Sequence, residues 1–303
     1  MTDIIIIGGG PAGLTAALYA RRANKDVLLL EKETFGGQIT YSPKVENIPG
    51  FCEVTGNEFA EKLVEQVLAQ GAEVDSCEVL GIEDRGTYKT VRTDSGSYDA
   101  KAVIVATGAR HRTLGLEGEE SYIGAGVSFC AVCDGAFYTG KRVGVVGGGN
   151  SALQEALMLS DLASHVTVIQ NLDVLTGEEK LAEALRSKGN VDILTGTVVR
   201  AYRGEGELSG VVLEHVADGV TSELSLDGLF VAVGLVPQNE PFASVLTLDE
   251  RGYAVAGEDT LTKTPGIFVA GDCRTKRIRQ VATAASDGAI AALAACSYVD
   301  DLH

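Results

Sequence analysis

The sequence predicts an α/β protein made of two Rossmann-like dinucleotide-binding domains, the second inserted in the first. Three observations carry this expectation. A strand, glycine turn and helix open the chain; the same pattern returns with Gly147, 139 positions after Gly8; and an apolar strand near residue 267 leads into a last helix. With 303 residues, 45% of them hydrophobic, the chain is long enough for two separate cores.

The first unit begins with the β-branched run Ile4-Ile5-Ile6-Ile7, the composition of a strand buried on both faces. It ends in Gly8-Gly9-Gly10-Pro11-Ala12-Gly13, a helical stretch follows, and Val27-Leu28-Leu29-Leu30 gives a second strand closed by Glu31. The βαβ length and the acid roughly 20 residues beyond the glycines complete a dinucleotide fingerprint. Gly8 permits the tight turn, Gly10 lets pyrophosphate approach the backbone, Gly13 lets helix and strand pack closely, and Glu31 accepts from a ribose hydroxyl.

The second unit repeats the pattern with Val143-Gly144-Val145-Val146, a turn carrying Gly147, Gly149 and Ala152, and a helix from about Leu153. Gln170 falls where the 139-residue offset places the partner of Glu31, so this site lacks the acid. The apolar runs 102–107 and 229–233 each end in glycine, Gly108 and Gly234, and each is expected to close one fold. Gly108 joins the candidate cofactor residues. Crossovers are expected near residues 116–118 and 237–241. The domains then read as 1–116 with 242–303, and 117–241.

Lys and Arg fall short of Asp and Glu by 17 charges, which argues against a nucleic-acid surface. The N-terminus lacks the pattern of a signal peptide, and no apolar run is expected to reach the roughly 20 residues that span a bilayer. No membrane association and a cytoplasmic location are therefore expected. Cys52, Cys77, Cys273 and Cys296 read as buried single thiols.

Cys130-Ala131-Val132-Cys133-Asp134-Gly135 stands apart. Zinc needs three or four ligands and only two lie close together here, so no metal is expected. The spacing allows a reversible disulfide across one helical turn. Asp134 is placed to move a proton during exchange, or simply to cap a helix.

These stretches, together with Gly36-Gly37-Gln38, Val45-Glu46-Asn47-Ile48-Pro49-Gly50-Phe51, Gly271-Asp272 and Arg279-Gln280-Val281, resemble the low-molecular-weight thioredoxin reductases along essentially the whole chain. The resemblance implies FAD in the first fold, with Gly37, Gln38, Asn47, Asp272, Arg279 and Gln280 lining the flavin or its diphosphate and ribityl chain. It implies that Cys133 lies nearer the isoalloxazine and Cys130 faces outward once the inserted domain turns. It further implies that the substrate is thioredoxin or a similar protein disulfide, and that the enzyme is a homodimer.

The donor departs from the family pattern. NADPH enzymes of this family carry His-Arg-Arg and a further Arg where this chain has Gln170, Asn171, Leu172 and Thr176, so no guanidinium is offered to a 2′-phosphate. Reduced ferredoxin, taken at the flavin as in a subgroup of these enzymes, is the favoured donor. NADH held by Gln170 or Asn171, and a flavin-disulfide sensor that does not turn over, are the alternatives. Under the ferredoxin reading the second glycine turn serves packing or another nucleotide. Arg274, Lys276, Arg277 and Arg279 read either as a ferredoxin docking patch or as ordinary loop charges.

Overall fold

The computed structural model describes residues 1–302; His303, the end of the expected first domain, lies outside the described residues. The chain divides into two compact units, 1–110 with 236–303, and 111–235.

The first unit opens with β1 (Thr2–Ile7), α1 (Pro11–Arg22), β2 (Val27–Glu31), α2 (Gly56–Ala69), β3 (Glu73–Ser76), β4 (Val79–Asp84), β5 (Lys89–Thr93) and β6 (Ser97–Val105). β1 lies between β2 and β6, parallel to both, with Ile4 opposite Val27 and Ala102. Ile4, Ile5 and Ile6 are fully buried, which is why the strand is an unbroken β-branched run and not an alternating one. β4 and β5 pair antiparallel at the far edge, an addition the sequence pattern did not announce. α2 starts at a capping box in which the Thr55 hydroxyl accepts the Glu58 N–H and the Glu58 carboxylate accepts the Thr55 N–H.

The chain leaves through β7 (Ala109–His111) into α3 (Glu119–Tyr122), β8 (Val127–Ser128), α4 (Ala131–Asp134), β9 (Arg142–Val146), α5 (Asn150–Ser160), β10 (His165–Ile169), α6 (Glu179–Arg186) and β11 (Val191–Leu194). It continues through β12 (Thr197–Glu205), β13 (Glu207–His215), β14 (Thr221–Ser225) and β15 (Gly228–Val231). A parallel sheet of order β11-β10-β9-β15-β8 carries α5 and α6 on one face, and the antiparallel β12-β13-β14 meander shares the core on the other.

The return crossing is β16 (Leu235–Pro237), which pairs with β7. Both crossings fall a few residues before the expected 116/117 and 241/242. Leu114 and Leu116 pack against the Val127 and Leu229 core of the second unit, and Phe242 packs in the first, so burial places the divisions. β17 (Ile267–Val269) then joins β6, and α7 (Val281–Asp301) closes the first unit.

α7 corrects one expectation. It has 21 residues, and an 18-residue window within it has a mean hydropathy of 1.2, long and apolar enough by length and composition to cross a bilayer. Small alanines, unobtrusive as an apolar run, produce this, and Ala284, Ala291, Ala292, Ala295 and Val299 lie in the core with α1. A Cβ on Gly288 would sit 2.1 Å from the Ala12 carbonyl oxygen, so the glycine permits the close approach of the two helices. Among the single cysteines, Cys77, Cys273 and Cys296 are buried as expected, whereas Cys52 is exposed.

Candidate active site

The first glycine turn separates its glycines by task. Gly8 has φ of 109°, and a Cβ there would lie 2.4 Å from the Ala106 carbonyl oxygen; one on Gly13 would lie 1.8 Å from the Gly8 oxygen. Both glycines are required by the fold itself. Gly10, the residue that caps α1, has ordinary extended geometry, and a Cβ on it would meet nothing within 4 Å. The open space therefore lies where the first N–H groups of α1 point, the place an anion takes at a helix N-terminus. Glu31 is held beside the turn, its Oε2 accepting the Gly9 N–H at 2.6 Å and its Oε1 the Glu33 N–H at 2.7 Å.

Of the other candidates of the first unit, Gly37 and the turn bearing Asp272 lie against this turn or the start of α1, and the rest are fixed by partners of their own. Gly37 approaches the Gly10 Cα, and Gln38 donates its side-chain amide to the Ala109 carbonyl, next to Gly108. The turn bearing Asp272 packs against α1, a Cβ on Gly271 reaching to within 2.9 Å of the Ala12 Cβ. Arg279 donates to the Asp272 and Arg274 carbonyls and lies over the Tyr253 ring at 4.3 Å. Asn47 and Gln280, 233 residues apart, meet through a 3.2 Å side-chain hydrogen bond.

Among the described residues Asp272 Oδ1 is buried without a hydrogen-bond partner; its nearest cation, Lys276, is 4.0 Å away. Burial raises its carboxyl above the usual range, against the pull of Lys276 and Arg279. An orphaned acceptor of this kind, beside an open helix N-terminus, fits a bound dinucleotide whose hydroxyls or amide would satisfy it.

The basic stretch after Asp272 is not the exposed patch that docking of an acidic carrier requires. Arg274 is buried and pairs in bidentate fashion with Asp287 of α7, both contacts at 2.8 Å, and the Lys276 ammonium lies 3.0 Å from the same carboxylate. Asp287 also accepts the Gly271 N–H. These charges fasten the 271–276 segment to α7, leaving Arg277 as the exposed cation of the four.

In the second unit Cys130 and Cys133 form a disulfide, with Cα atoms 5.3 Å apart. Cys130 precedes the short α4, and its Sγ accepts the Cys133 backbone N–H at 3.2 Å, a contact that favours negative charge on that sulfur. The Ser128 hydroxyl accepts the Cys130 N–H and donates to Asp134 Oδ2 at 2.6 Å. Asp134 Oδ1 is buried with no hydrogen-bond partner among the described residues, and burial raises the carboxyl. The carboxylate of Asp134 makes no side-chain cap to the turn that follows it and turns back to Ser128 instead.

Sequence reasoning missed Ser128 and Glu155. Glu155 sits on α5 among the buried Ala152, Ala156 and Leu159, so an acid on the apolar stripe of that helix was the available signal. Burial pushes its carboxyl up to about 7. Stability should therefore fall as pH rises from the ordinary glutamate range of 4.5 through about 7, because the unfolded chain ionises first. Thermal melts should show Glu155→Gln more stable than the natural chain at pH 8 and unchanged in relative stability at pH 4.

The second glycine turn keeps its backbone but not its surroundings. Gly147 has φ of 132°, and a Cβ would lie 2.6 Å from the Ala232 oxygen, the same constraint as at Gly8. Ala152 is fully buried where the fold needs a small residue. Gly149 faces Thr176, whose hydroxyl is 3.9 Å from a Cβ built there. Gln170 is buried and donates its side-chain amide to the Val174 carbonyl at 3.1 Å, so it is not presented to a ribose as expected. The Gly148 carbonyl accepts the N–H groups of Thr176 and Gly177, and Asn150 at the start of α5 exchanges two hydrogen bonds with Glu178. The Glu178 carboxylate thus lies beside the side chain of the first residue of α5.

The sequence model of the family described as pyridine nucleotide-disulphide oxidoreductase matches residues 2–288. A thioredoxin reductase of Listeria innocua is 42% identical over 301 residues, 99% of this chain and 94% of that protein. One from Treponema pallidum is 42% identical over 99% of this chain and 98% of its own length. The crystal structure of thioredoxin reductase from Streptococcus pyogenes superposes with a TM-score of 0.96 at 40% identity, covering 99% of both chains. The expected two-fold α/β architecture is that of these neighbours. With the open turn at Gly10, the orphaned Asp272 and the Cys130–Cys133 disulfide, they show that the chain belongs to the low-molecular-weight thioredoxin reductases, flavoprotein disulfide oxidoreductases whose cofactor is FAD.

Proposed function

We propose that this chain reduces the disulfide of thioredoxin or a similar small protein, and that Cys130 and Cys133 carry the exchange. The observation behind this reading is the formed disulfide with the Cys133 N–H on Cys130 Sγ and the buried Asp134 beside it. FAD, when bound, supplies the electron pair; Gly10 and the α1 N-terminus would hold its pyrophosphate, Glu31 a ribose, and Gly37, Gln38, Asn47, Gly108, Asp272, Arg279 and Gln280 the remainder.

Reduction breaks the Cys130–Cys133 bond, and Asp134 delivers a proton to one sulfur. The Cys130 thiolate then attacks one sulfur of the partner disulfide, and the other leaves as a thiolate. Cys133 attacks Cys130 Sγ in the mixed disulfide, restoring the internal bond and releasing the second partner sulfur. Asp134, ionised by its first transfer, takes the proton back from the Cys133 thiol as that sulfur attacks. Steady-state turnover with a protein disulfide removes the sensor alternative; a single stoichiometric reduction would restore it.

For the donor, we propose one that needs no 2′-phosphate site, with reduced ferredoxin ahead of NADH. The support is that Asn171, Leu172 and Thr176 offer no cation, that Gln170 is turned inward, and that the exposed Asp173, Glu178 and Glu179 add negative charge along the same segment. A phosphate near charge −2 would be repelled there. The relatives do not speak for ferredoxin, and the ion-paired Arg274 and Lys276 remove most of the patch expected to dock it, so the ferredoxin arm rests on the second site alone. Anaerobic titration of the flavin absorbance with NADPH, NADH and reduced ferredoxin decides. Bleaching by ferredoxin or NADH with NADPH failing is expected, and rapid bleaching by NADPH overturns the proposal.

Asn171 and Leu172 are exposed, so arginines fit there. The double change Asn171→Arg and Leu172→Arg should lower the NADPH concentration needed for half-maximal bleaching roughly 10- to 100-fold, the worth of a charge-assisted contact. No change would mean that the segment from Gln170 to Glu178 closes the site whatever its charge.

The four unpaired cysteines fit a reducing, cytoplasmic setting, and the homodimer of the family is carried over as part of the same proposal.

A further inference from the structure

The disulfide segment has a second buried carboxyl beneath it that the exchange described above does not use. Glu155 accepts the backbone N–H of Ala131, the residue following Cys130, while its Oε2 is buried with no hydrogen-bond partner among the described residues. α5, which carries it, packs against α4, α6, β9 and β10. The titratable groups on these elements are engaged or exposed. Asp134 is bonded to Ser128, His165 to Asp192 and Arg186 to Glu179; Arg142, Lys180 and Glu183 complete the set. Only burial and the Ala131 N–H shift Glu155, so no fixed cation holds it ionised.

We propose that Glu155 is a positioning residue for the Cys130–Cys133 pair, its carboxyl group setting the charge against which the reduced Cys130 sulfur ionises. The inference rests on the reading of that pair as the exchanging disulfide. Neutral Glu155 leaves the turn after Cys130 uncharged, and the Cys133 N–H stabilises a Cys130 thiolate. Ionised Glu155 places a like charge one residue away and holds the proton on the thiol. The two acids are coupled: loss of the proton from Cys130 raises the affinity of Glu155 for its own. Burial pushes the Glu155 carboxyl up to about 7, so the coupling is expected near neutrality.

The experiment uses the FAD-loaded protein, reduced, with the rate of Cys130 alkylation by iodoacetamide read by mass mapping from pH 5 to 9.5. The natural chain should show an inflection near neutrality before the main rise. In Glu155→Gln, which keeps an acceptor for the Ala131 N–H, the inflection should vanish and the midpoint move down by roughly one pH unit. Alkylation at pH 8 should then be up to about tenfold faster. Asp134→Asn should retain the inflection. Coincident profiles, or an inflection lost with Asp134→Asn alone, overturn the inference.

A second measurement needs no variant: the carboxyl titration of Glu155 in carbon-13 glutamate-labelled natural protein. It should lie near neutrality in the oxidised protein and higher after reduction; a midpoint in the ordinary glutamate range overturns the inference. Failure of the underlying reading is separate, since the natural chain would then not reduce a protein disulfide at all.

Discussion

Cys133→Ser is expected to leave FAD bound and to lower turnover on a protein disulfide by at least about 10³-fold, as for removal of any group in a catalytic unit. Cys133 performs two tasks that a hydroxyl cannot: it forms the internal disulfide that accepts the electron pair, and it displaces the partner from Cys130. Without it, attack by Cys130 stops at the mixed disulfide. The fold should survive, because the bond closes a loop between residues only three apart. The entropic worth of so short a loop is about 2 kcal/mol. Trapping of thioredoxin on the variant through Cys130, visible as a covalent adduct, is the accompanying signature. Full activity in Cys133→Ser would require another route for the electrons and would overturn the assignment.

Gly10→Val is expected to give a folded, colourless protein. The backbone at Gly10 is extended, with φ of −78°, and nothing lies within 4 Å of a Cβ, so a branched side chain fits the empty chain. As the residue capping α1, its replacement costs about 1 kcal/mol. What the side chain fills is the space in front of the α1 N–H groups, where pyrophosphate has to touch the backbone. Gly8→Ala and Gly13→Ala should behave differently. Their Cβ atoms would strike backbone oxygens at 2.4 and 1.8 Å, so loss of folding, not merely of colour, is expected. Circular dichroism with the flavin absorbance separates the two outcomes, and a yellow, fully loaded Gly10→Val protein would show that the first turn has been misread.

Much of this was legible because parallel strands buried on both faces leave unbroken apolar runs. β1, β2, β6, β9, β15 and β17 all read directly, and glycines in positive-φ turns follow them at Gly8 and Gly147. The β12-β13-β14 meander did not read, because its strands alternate and carry exposed polar faces, as in the exposed pattern of β14. The roles of charges were the least legible. Arg274 and Lys276 looked like a surface patch because Asp287, which neutralises them, lies on another element that folds back upon the loop. Gln170 was found by the internal repeat, but its inward turn to Val174 depends on a loop path that spacing does not encode. Glu155 escaped for the converse reason: a lone acid within an apolar helix face gains meaning only when the Ala131 N–H is seen to reach it.

The measurement that tests the account most directly is anaerobic mixing of the dithionite-reduced protein with oxidised thioredoxin, followed by counting thiols on each. The account predicts that thioredoxin gains a thiol pair, that Cys130 and Cys133 return to the disulfide, and that fresh reductant drives further rounds. Thioredoxin that stays oxidised while Cys130 and Cys133 remain as thiols would contradict it.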